Sequence, residues 1–462
     1  MNLLSMSRIS SEQLLSGSFG IEWESLRAKG QGELSLTPHP RIFGDKLHNP
    51  FVTTDFSESQ IEIITPPFDS IDEVYDNFLL LSDLVNTSLP EDEYLWSQSI
   101  PCILPSQDQI PIAQYSGDGK SSQKYREGLA KKYGVKKQMI SGVHFNFSFS
   151  NDLLRKLYLL DEEDLTFKDF KDNVYLKVVR NYLKYCWLII YLTGCSNGFH
   201  ESFTNDCIGL MDGNDGDGGY YSTEGLSFRN SSCGYKNITE LYPSYDSVEE
   251  FVNDVRGFVE EKLLSEAKEL YSQIRLKAKN PIDLLNSLKN DGIEYLEIRT
   301  LDINPFYQSG IAKYDMKFLH LFLIYMLIKE ESNYSNWQKE AKINEDNTAQ
   351  RAYQKSMRLL KDGQEVTLKS WALEIINEMY EMCEVLGIDE RDTLDLMLDR
   401  VENHDLTYSQ KMLKLIEENG FIDTQVQLSR NNKHNSINNI RSMNLNKSEE
   451  LEKYINLVLV GE

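Results

Sequence analysis

Apolar and polar residues alternate with period two in several stretches of the first 150 residues. Phe19–Arg27, Val52–Thr65 and Ser141–Ser150 read as strands, because successive strand side chains point to opposite faces. From Asp152 to Gly194 the period lengthens. Leu176, Val179, Leu183, Trp187 and Ile190 recur at the three- and four-residue steps of one helix face. The Asp/Gly-rich stretch Met211–Gly219 reads as a loop, Val248–Leu270 as a helix and Tyr295–Arg299 as a short strand. Beyond Asn304-Pro305 the pattern is helical, with helices expected over Lys313–Glu331, Trp337–Leu360 and Leu368–Leu386. Asn431–Asn446 holds seven asparagines and reads as a mobile loop before a final helix. No repeat and no clear linker interrupts the chain. The expected architecture is α+β, an antiparallel sheet with helices packed on one side.

The length of 462 residues allows about three domains or one large enzyme-sized unit. With 40% hydrophobic and 11% aromatic residues the chain can bury a substantial core. It carries 48 Lys+Arg against 72 Asp+Glu, a net charge of −24, which argues against nucleic acid and against an anionic membrane as partners. The apolar stretches Cys186–Leu192 and Phe318–Ile328 are too short to span a bilayer. Met1–Ser10 lacks the basic and apolar regions of a secretory signal. The six cysteines form no Cys-x-x-Cys pair and are too sparse for a disulfide scaffold. Together these features lead to the expectation of a soluble, reduced, cytoplasmic protein.

Two local motifs fail on inspection. Gly119-Lys120-Ser121 ends like a phosphate loop, but Gln114 stands where its first glycine belongs. The loop opening at Asp212 has Gly216, Asp217 and Thr223 where a calcium loop needs Asp/Asn, Gly and Glu.

The strands carry more information. Val143, Phe145, Phe147 and Phe149 share one face, and His144, Asn146 and Ser148 share the other. Glu22 and Glu24 oppose Ile21 and Trp23. Glu62 opposes Ile61 and Ile63, with Asp55 and Glu58 just upstream. Glu297 and Arg299 oppose Leu296 and Ile298. A one-sided sheet often has a wet face, but a merely solvated face favours Thr, Lys and Ser. Carboxylates paired at i, i+2 repel unless a cation lies between them. Carboxylate oxygens with one imidazole suit Mg²⁺ or Mn²⁺. The pattern therefore points to metal-dependent phosphoryl transfer or another ATP-using reaction, with an Arg to clamp the phosphoryl group. A purely structural wet face is the competing reading.

Seven ordered motifs over residues 15–310 resemble bacterial glutamate–cysteine ligase (γ-glutamylcysteine synthetase). They are Phe19-Gly-Ile-Glu-Trp-Glu-Ser-Leu-Arg27, Thr53-Thr-Asp-Phe-Ser-Glu-Ser-Gln-Ile-Glu-Ile-Ile-Thr-Pro66, Ile112-Ala-Gln-Tyr115, Tyr125-Arg-Glu-Gly-Leu129, Gln138-Met-Ile-Ser-Gly-Val-His-Phe-Asn-Phe-Ser148, Ser227-Phe-Arg-Asn-Ser-Ser-Cys-Gly-Tyr235 and Gly292-Ile-Glu-Tyr-Leu-Glu-Ile-Arg-Thr-Leu-Asp-Ile-Asn-Pro-Phe306. The resemblance implies a fold like glutamine synthetase and the guanidino kinases, with a curved antiparallel sheet, helices on its outer side and a helical C-terminal part. It implies that ATP phosphorylates the γ-carboxylate of L-glutamate, and that the amine of L-cysteine attacks the resulting acyl phosphate.

Carried over by position, the metal ligands are Glu22, Glu24, Asp55, Glu62, His144 and Glu297, holding two or three Mg²⁺, with Mn²⁺ as a substitute. Arg299 contacts phosphate and Arg229 the glutamate α-carboxylate, so these two are the catalytic arginines. Asn146 helps place the nucleotide or metals. Phe56, Tyr125, Leu129, Gln138, Tyr235 and Tyr271 form the cysteine pocket, with Arg126 nearby. Tyr271, taken alone, fits core packing at a helix end. Partners are limited to ATP, L-glutamate and L-cysteine. Oligomeric state stays open, with a monomer as the working expectation.

The chain departs from the family pattern at Trp23, Ser97, Asn197, Phe306–Gly310 and Cys233. Bifunctional glutathione synthases continue into an ATP-grasp domain, which needs about 100–200 further residues. The expectation is one ligase unit over 1–462, sheet-rich over about 15–310 and helical over about 311–462. A ligase with another amine acceptor and a non-catalytic cation-binding protein of the same fold stay open as alternatives.

Overall fold

Strand β1, Gly17–Lys29, is long enough to pair with three neighbours in one sheet. Its partners are β3 (Gln60–Ile64), which also pairs with β2 (Val52–Thr54), then β4 (Glu93–Leu95) and β5 (Val143–Phe149). A small three-stranded sheet follows, made of β6 (Gly198–His200), β7 (Gly213–Asn214) and β8 (Gly219–Tyr221). Strands β9 (Ile274–Lys277) and β10 (Tyr295–Leu301) complete the main sheet in the order β2-β3-β1-β5-β10-β9. All its pairs are antiparallel. The hairpin β11 (Leu359–Lys361) and β12 (Gln364–Val366) lies apart from it. This computed structural model describes residues 3–161, 164–204, 206–443 and 455–459.

The register decides which side chains meet. Across the strands Glu62 lies opposite Glu24, Glu22 opposite His144, and Glu297 opposite both Asn146 and Arg275. Opposed residues of an antiparallel pair share a face, so these polar side chains form one surface. The alternate positions Ile21, Trp23, Ile61, Ile63, Phe145, Phe147, Leu276, Leu296 and Ile298 form the other, and all are buried in one apolar cluster. Each such large side chain contributes about 1.5–3 kcal/mol on burial.

Helices Ile71–Ser88, Phe167–Thr193 and Lys313–Ile328 cover that apolar face. Ser70 and Thr166 cap the first two, each side chain accepting a backbone N–H three residues on. Trp23 packs on the Phe78 ring at 6.0 Å and beside Gly310, whose φ of 69° and missing Cβ allow the approach. No helix among the described residues is long and apolar enough to cross a membrane.

Several element boundaries differ from expectation. Val52–Thr65 is two strands joined by a turn that carries Asp55 and Phe56. The helix from Val248 ends at Glu260, and Tyr271 sits in the short link before β9, not at a helix end. The helix from Trp337 ends at Arg351, and the following residues turn into the β11–β12 hairpin. The asparagine-rich stretch is not a loop as far as it is described. It continues the helix Phe421–Ser442; Asn444 and Asn446 lie outside the described residues. Val426, Ser429, Lys433 and Ser436 form its buried stripe, while Asn431, Asn435 and Asn438 face outward. The exposed asparagines masked a helical period carried by small and long polar residues. Residues 455–459 are helical. Cys207 and Cys233 form a disulfide, contrary to a wholly reduced chain, while Cys102, Cys186, Cys195 and Cys383 are free and buried. They stand 26 residues apart, and only the folded loops bring them together.

His320, on the covering helix Lys313–Ile328, packs against Phe19 and Phe147 at 4.8 and 5.4 Å. Burial pushes its imidazole down to about 3. The unfolded chain takes up this proton near pH 6.5 and the folded chain does not, so acid favours unfolding through that window. The contribution is at most about 1.4 kcal/mol per pH unit. We expect His320→Leu to flatten the loss of stability between pH 6.5 and 4.5, read from urea midpoints. An unchanged slope would show that His320 is not a buried neutral group.

Candidate active site

The six expected ligands divide into two triads on the polar face. Glu22, His144 and Glu297 each offer a ligand atom, and the three atoms lie within 4.8 Å of one another. His144 Nδ1 lies 3.3 Å from Glu22 Oε2 and 3.7 Å from Glu297 Oε1. Burial and the nearby Arg299 push this imidazole down to about 4, so it is neutral and offers a lone pair. Its Nε2 is buried without a hydrogen-bond partner, 3.7 Å from Glu24 Oε1. Two carboxylates and one neutral imidazole fit a hard divalent cation such as Mg²⁺ or Mn²⁺.

Glu24, Asp55 and Glu62 make up the second triad, whose ligand atoms are not gathered as closely as those of the first. Burial raises all three, Glu24 to about 8 with repulsion from Asp55, Glu62 well above the usual range with repulsion from Asp55, Glu22 and Glu24, and Asp55 with repulsion from Glu22. Like charges removed from water hold protons or a cation. Glu297 behaves in the opposite way. Burial alone would raise it, but Lys277, Arg299 and Arg275 hold it well below the ordinary carboxylate range.

The arginines bridge the triads. Arg299 lies where the β10–β5 register shifts between Ile298 and Leu301, and its guanidinium donates to Glu297. Such a bulge re-aims a side chain. Arg229 Nη1 donates to the Arg299 carbonyl at 2.6 Å. Its guanidinium lies flat over Gly142, where an added Cβ would meet it at 2.4 Å. Asp302 holds the loop that carries it, accepting from Cys195 N at 2.9 Å, Ser196 Oγ at 2.7 Å and Ser227 Oγ at 3.0 Å. Asn146 Nδ2 donates to Glu22 Oε1 at 2.8 Å, and its Oδ1 is buried without a partner.

Beside the arginines is a tyrosine-walled slot. Tyr271 OH bonds Tyr235 OH at 2.8 Å, and Tyr235 OH donates to Gln138 Oε1 at 2.8 Å. The Tyr235 and Tyr271 rings are 4.1 Å apart. Phe56 and Leu129 belong to the second apolar cluster, against which Tyr125 and Tyr235 pack. A cavity of about 300 Å³ opens next to them, lined by Arg229, Arg299, Tyr235, Tyr271, Trp337 and Glu345.

The expected metal ligands, Asn146 and the two arginines thus gather at the polar face, and the tyrosine slot opens beside them. Tyr271 is held by its hydroxyl and is not simple core packing. Arg126 donates to the Asp55 carbonyl and stacks over the Tyr115 ring at 5.0 Å, so it braces the turn that carries Asp55. Glu58 is taken up elsewhere, accepting from His39 N at 2.9 Å and Gln114 N at 2.7 Å and pairing with Lys46. Four residues went unnoticed in the sequence. Arg275 and Lys277 had a readable signal, the alternation Ile274-Arg-Leu-Lys277. Gly142 and Asp302 lay inside quoted motifs but show their roles only in three dimensions.

An antiparallel sheet with a cation-binding carboxylate face, two arginines and a neighbouring small-molecule slot defines a class of fold and site. A family model for glutamate-cysteine ligase matches residues 3–351. The chain belongs to the glutamate-cysteine ligase family. A glutathione biosynthesis bifunctional protein GshAB of Clostridium perfringens is 39% identical over 447 residues, covering 96% of this chain and 57% of the relative. GshAB of Listeria innocua is 41% identical over 377 residues, covering 81% of this chain and 48% of the relative. The chain spans about half the length of the curated relatives it matches. Among solved structures, a glutamate–cysteine ligase of Francisella tularensis in complex with AMP has a TM-score of 0.88 at 27% identity, covering 96% of this chain and 92% of that one. A bifunctional glutathione synthetase of Pasteurella multocida has a TM-score of 0.84 at 28% identity, covering 99% of this chain and 57% of that one.

The compact triad predicts cation binding without any substrate. Mn²⁺ should bind the free protein in a calorimetric titration, and Glu22→Gln should weaken it at least about tenfold, as loss of a ligand does. Equal binding by the variant would remove Glu22 from the site.

Proposed function

We propose that this chain ligates the γ-carboxylate of L-glutamate to the amine of L-cysteine at the expense of ATP, giving γ-glutamylcysteine, ADP and phosphate. The observation that carries the reading is the Glu22–His144–Glu297 triad, with Arg299 paired to Glu297, beside the tyrosine slot. Membership of the family supports it. The described residues act as one catalytic unit, its sites supplied by residues 15–310 and braced by the helical part beyond 311. A monomer in the cytoplasm suffices for this reaction.

Glu22, His144 and Glu297 would hold one divalent cation, and Glu24, Asp55 and Glu62 another. Mg²⁺ would be the native ion, two or three per chain, with Mn²⁺ able to replace it. Bound there, the ions supply positive charge against the nucleotide phosphates. Arg229 offers its fork to the glutamate α-carboxylate, since a guanidinium binds a carboxylate in bidentate fashion. The γ-carboxylate oxygen attacks the terminal phosphorus, ADP leaves, and Arg299 stabilises charge on the moving group. Asn146 steadies Glu22 and the nucleotide side of the site. Phe56, Tyr125, Leu129, Gln138, Tyr235 and Tyr271 hold the cysteine. Burial lifts the Tyr271 hydroxyl to about 12 and Tyr235 higher still, so both stay neutral donors at pH 7. The cysteine amine attacks the acyl phosphate carbonyl, phosphate leaves, and the amine proton passes to solvent.

Phosphate release from ATP, Mg²⁺ and glutamate should rise with L-cysteine far above other amines. Faster turnover with a different amine would reassign the acceptor, and no turnover with any amine would sink the ligase reading. Glu297→Gln should cost at least about a hundredfold in kcat/KM, the scale of losing a preorganised charge site; full activity would displace Glu297 from the metal set.

Gly142→Ala separates position from stability. Its methyl group pushes aside only the end of a flexible side chain. Unfolding stability should stay within about 1 kcal/mol. The KM for glutamate should rise about tenfold, the equivalent of one weakened charged hydrogen bond. An unchanged KM would mean that Arg229 does not bind glutamate from this position.

A further inference from the structure

Three walls of the tyrosine slot come from separate pieces of chain. Tyr125 and Leu129 stand on the helix Lys120–Tyr133, Tyr235 on the loop that also carries Arg229, and Tyr271 on the link before β9. Glu269, two residues before Tyr271 on that link, is wholly buried. Its carboxylate accepts from Ser265 N at 2.6 Å within the link. It also accepts from Lys132 Nζ and, at 2.5 Å, from Tyr133 OH, both on the helix. Burial alone would raise this carboxyl, but these donors hold it below the ordinary carboxylate range. One ionised group thus fastens the Tyr271 wall to the helix wall.

Asn237 fastens the Tyr235 wall to the same hub. Its Oδ1 accepts from Tyr271 N at 2.9 Å. Its Nδ2 donates to the Glu269 carbonyl at 2.9 Å and to Tyr133 OH at 3.1 Å. The carboxamide therefore closes on the backbone of residues 269 and 271 as a neighbouring strand would. Each partner's role is fixed. Tyr271 N–H can only donate, the Glu269 carbonyl can only accept, and Tyr133 OH has already given its proton to Glu269. The position needs an acceptor and a donor on one short planar group, which Asn supplies and Asp does not.

The residue before it is anchored on the opposite side. Lys236 pairs with Glu345 at 3.0 Å and with Asp346, both on the helix Trp337–Arg351. Tyr235 is thereby held from both flanks, with its own hydroxyl on Gln138. All these bonds converge on the tyrosine pair, whose rings are 4.1 Å apart and whose hydroxyls form one chain to Gln138. None of them involves a carboxylate of the ligand triads or Arg299.

We propose that Asn237 is a positioning residue for the amine acceptor, fixing the Tyr271 backbone so that the Tyr271 hydroxyl meets Tyr235. The assignment rests on the ligase reading and adds to it a residue that touches no substrate. Asn237 serves acceptor binding alone and leaves the binding of ATP and glutamate to the metal triads and the arginines.

The test is steady-state phosphate release with each substrate varied in turn, using the amine that the wild-type protein turns over fastest. Asn237→Ala should raise the KM for that amine about tenfold, the loss expected for two or three neutral hydrogen bonds. The KM values for ATP and glutamate should stay within about twofold, because uniform binding of those substrates is untouched. Tyr133→Phe, which keeps the ring, should raise the amine KM about threefold through the loss of its hydroxyl bonds. In a Tyr271→Phe background Asn237→Ala should add little, since the hydroxyl it positions is gone. An unchanged amine KM in Asn237→Ala would overturn the assignment. An equal rise in the KM for all substrates would do so too, as the mark of a bond that only holds the fold. Full additivity with Tyr271→Phe would show that Asn237 does not act through that hydroxyl. If Asn237→Ala does not fold, Tyr133→Phe decides, and an unchanged amine KM there overturns the assignment. A wild-type protein without turnover on any amine would overturn the ligase reading along with it.

Discussion

Carboxylates gathered on a dry sheet face cannot all be charged unless cations accompany them. Every other part of the site is arranged around that constraint. In one corner Glu297 stays ionised because Lys277, Arg299 and Arg275 surround it. In the other, Arg126, Arg229 and Arg299 lie near Glu24, Asp55 and Glu62 but do not outweigh burial, and all three carboxylates are pushed up. The two triads are thus in different electrostatic states before any ligand arrives. The first carries its own charge and a neutral imidazole. The second takes up a cation only by giving up protons. In a chain of net charge −24, binding any anionic ligand would require such local reversal.

The apolar side of the same sheet makes this tolerable. Phe145, Phe147, Ile21, Trp23 and Ile298 are packed under three helices, so the polar residues between them have fixed positions. Period-two alternation makes the two functions inseparable, because a one-residue slip would exchange the faces. The bulge at Arg299–Thr300 is the single local exception in this stretch. It lets Leu301 return to the core opposite Val143 while Arg299 still reaches Glu297.

What the sequence makes legible follows from these same rules. Glu22, Glu24, Glu62, His144, Asn146 and Glu297 sit in strands whose alternation is plain, so their shared face could be read without coordinates. Asp55 lies in a turn, Arg229 in a loop, and the tyrosine slot gathers residues from five separate segments, so the roles of these residues came only through resemblance. Arg275 and Lys277 alternate with Ile274 and Leu276, but four residues are too few to stand out beside a helical stretch. Gly142 matters for the side chain it leaves room for, and Asp302 for three donors distant in sequence. The helix Phe421–Ser442 was hidden for another reason. Its buried stripe includes Lys433, whose ammonium donates to the carbonyls of Pro90 at 2.6 Å and Glu93 at 2.8 Å, so a core position looks polar.

Three of the five departures from the family pattern, Ser97, Asn197 and Phe306, share a location. Ser97 bonds Ser429 through its backbone N–H at 3.2 Å and its hydroxyl at 3.1 Å. Asn197 Nδ2 donates to the Ser409 carbonyl at 3.3 Å. Phe306 stacks on Tyr408 at 6.2 Å, and Asn432 Nδ2 donates to the Pro305 carbonyl at 3.2 Å. These partners all lie beyond residue 351, where the family model's match ends. A solved ligase superposes over 96% of the chain and a relative aligns with 96% of it at 39% identity, so the C-terminal helices belong to the shared fold. Trp371, Met379, Leu394 and Met397 of those helices are buried in the cluster that supports the sheet. Ser97, Asn197 and Phe306 stand where the sheet-rich part meets those C-terminal helices, so what differs there bears on how the two parts pack and not on the ligand triads.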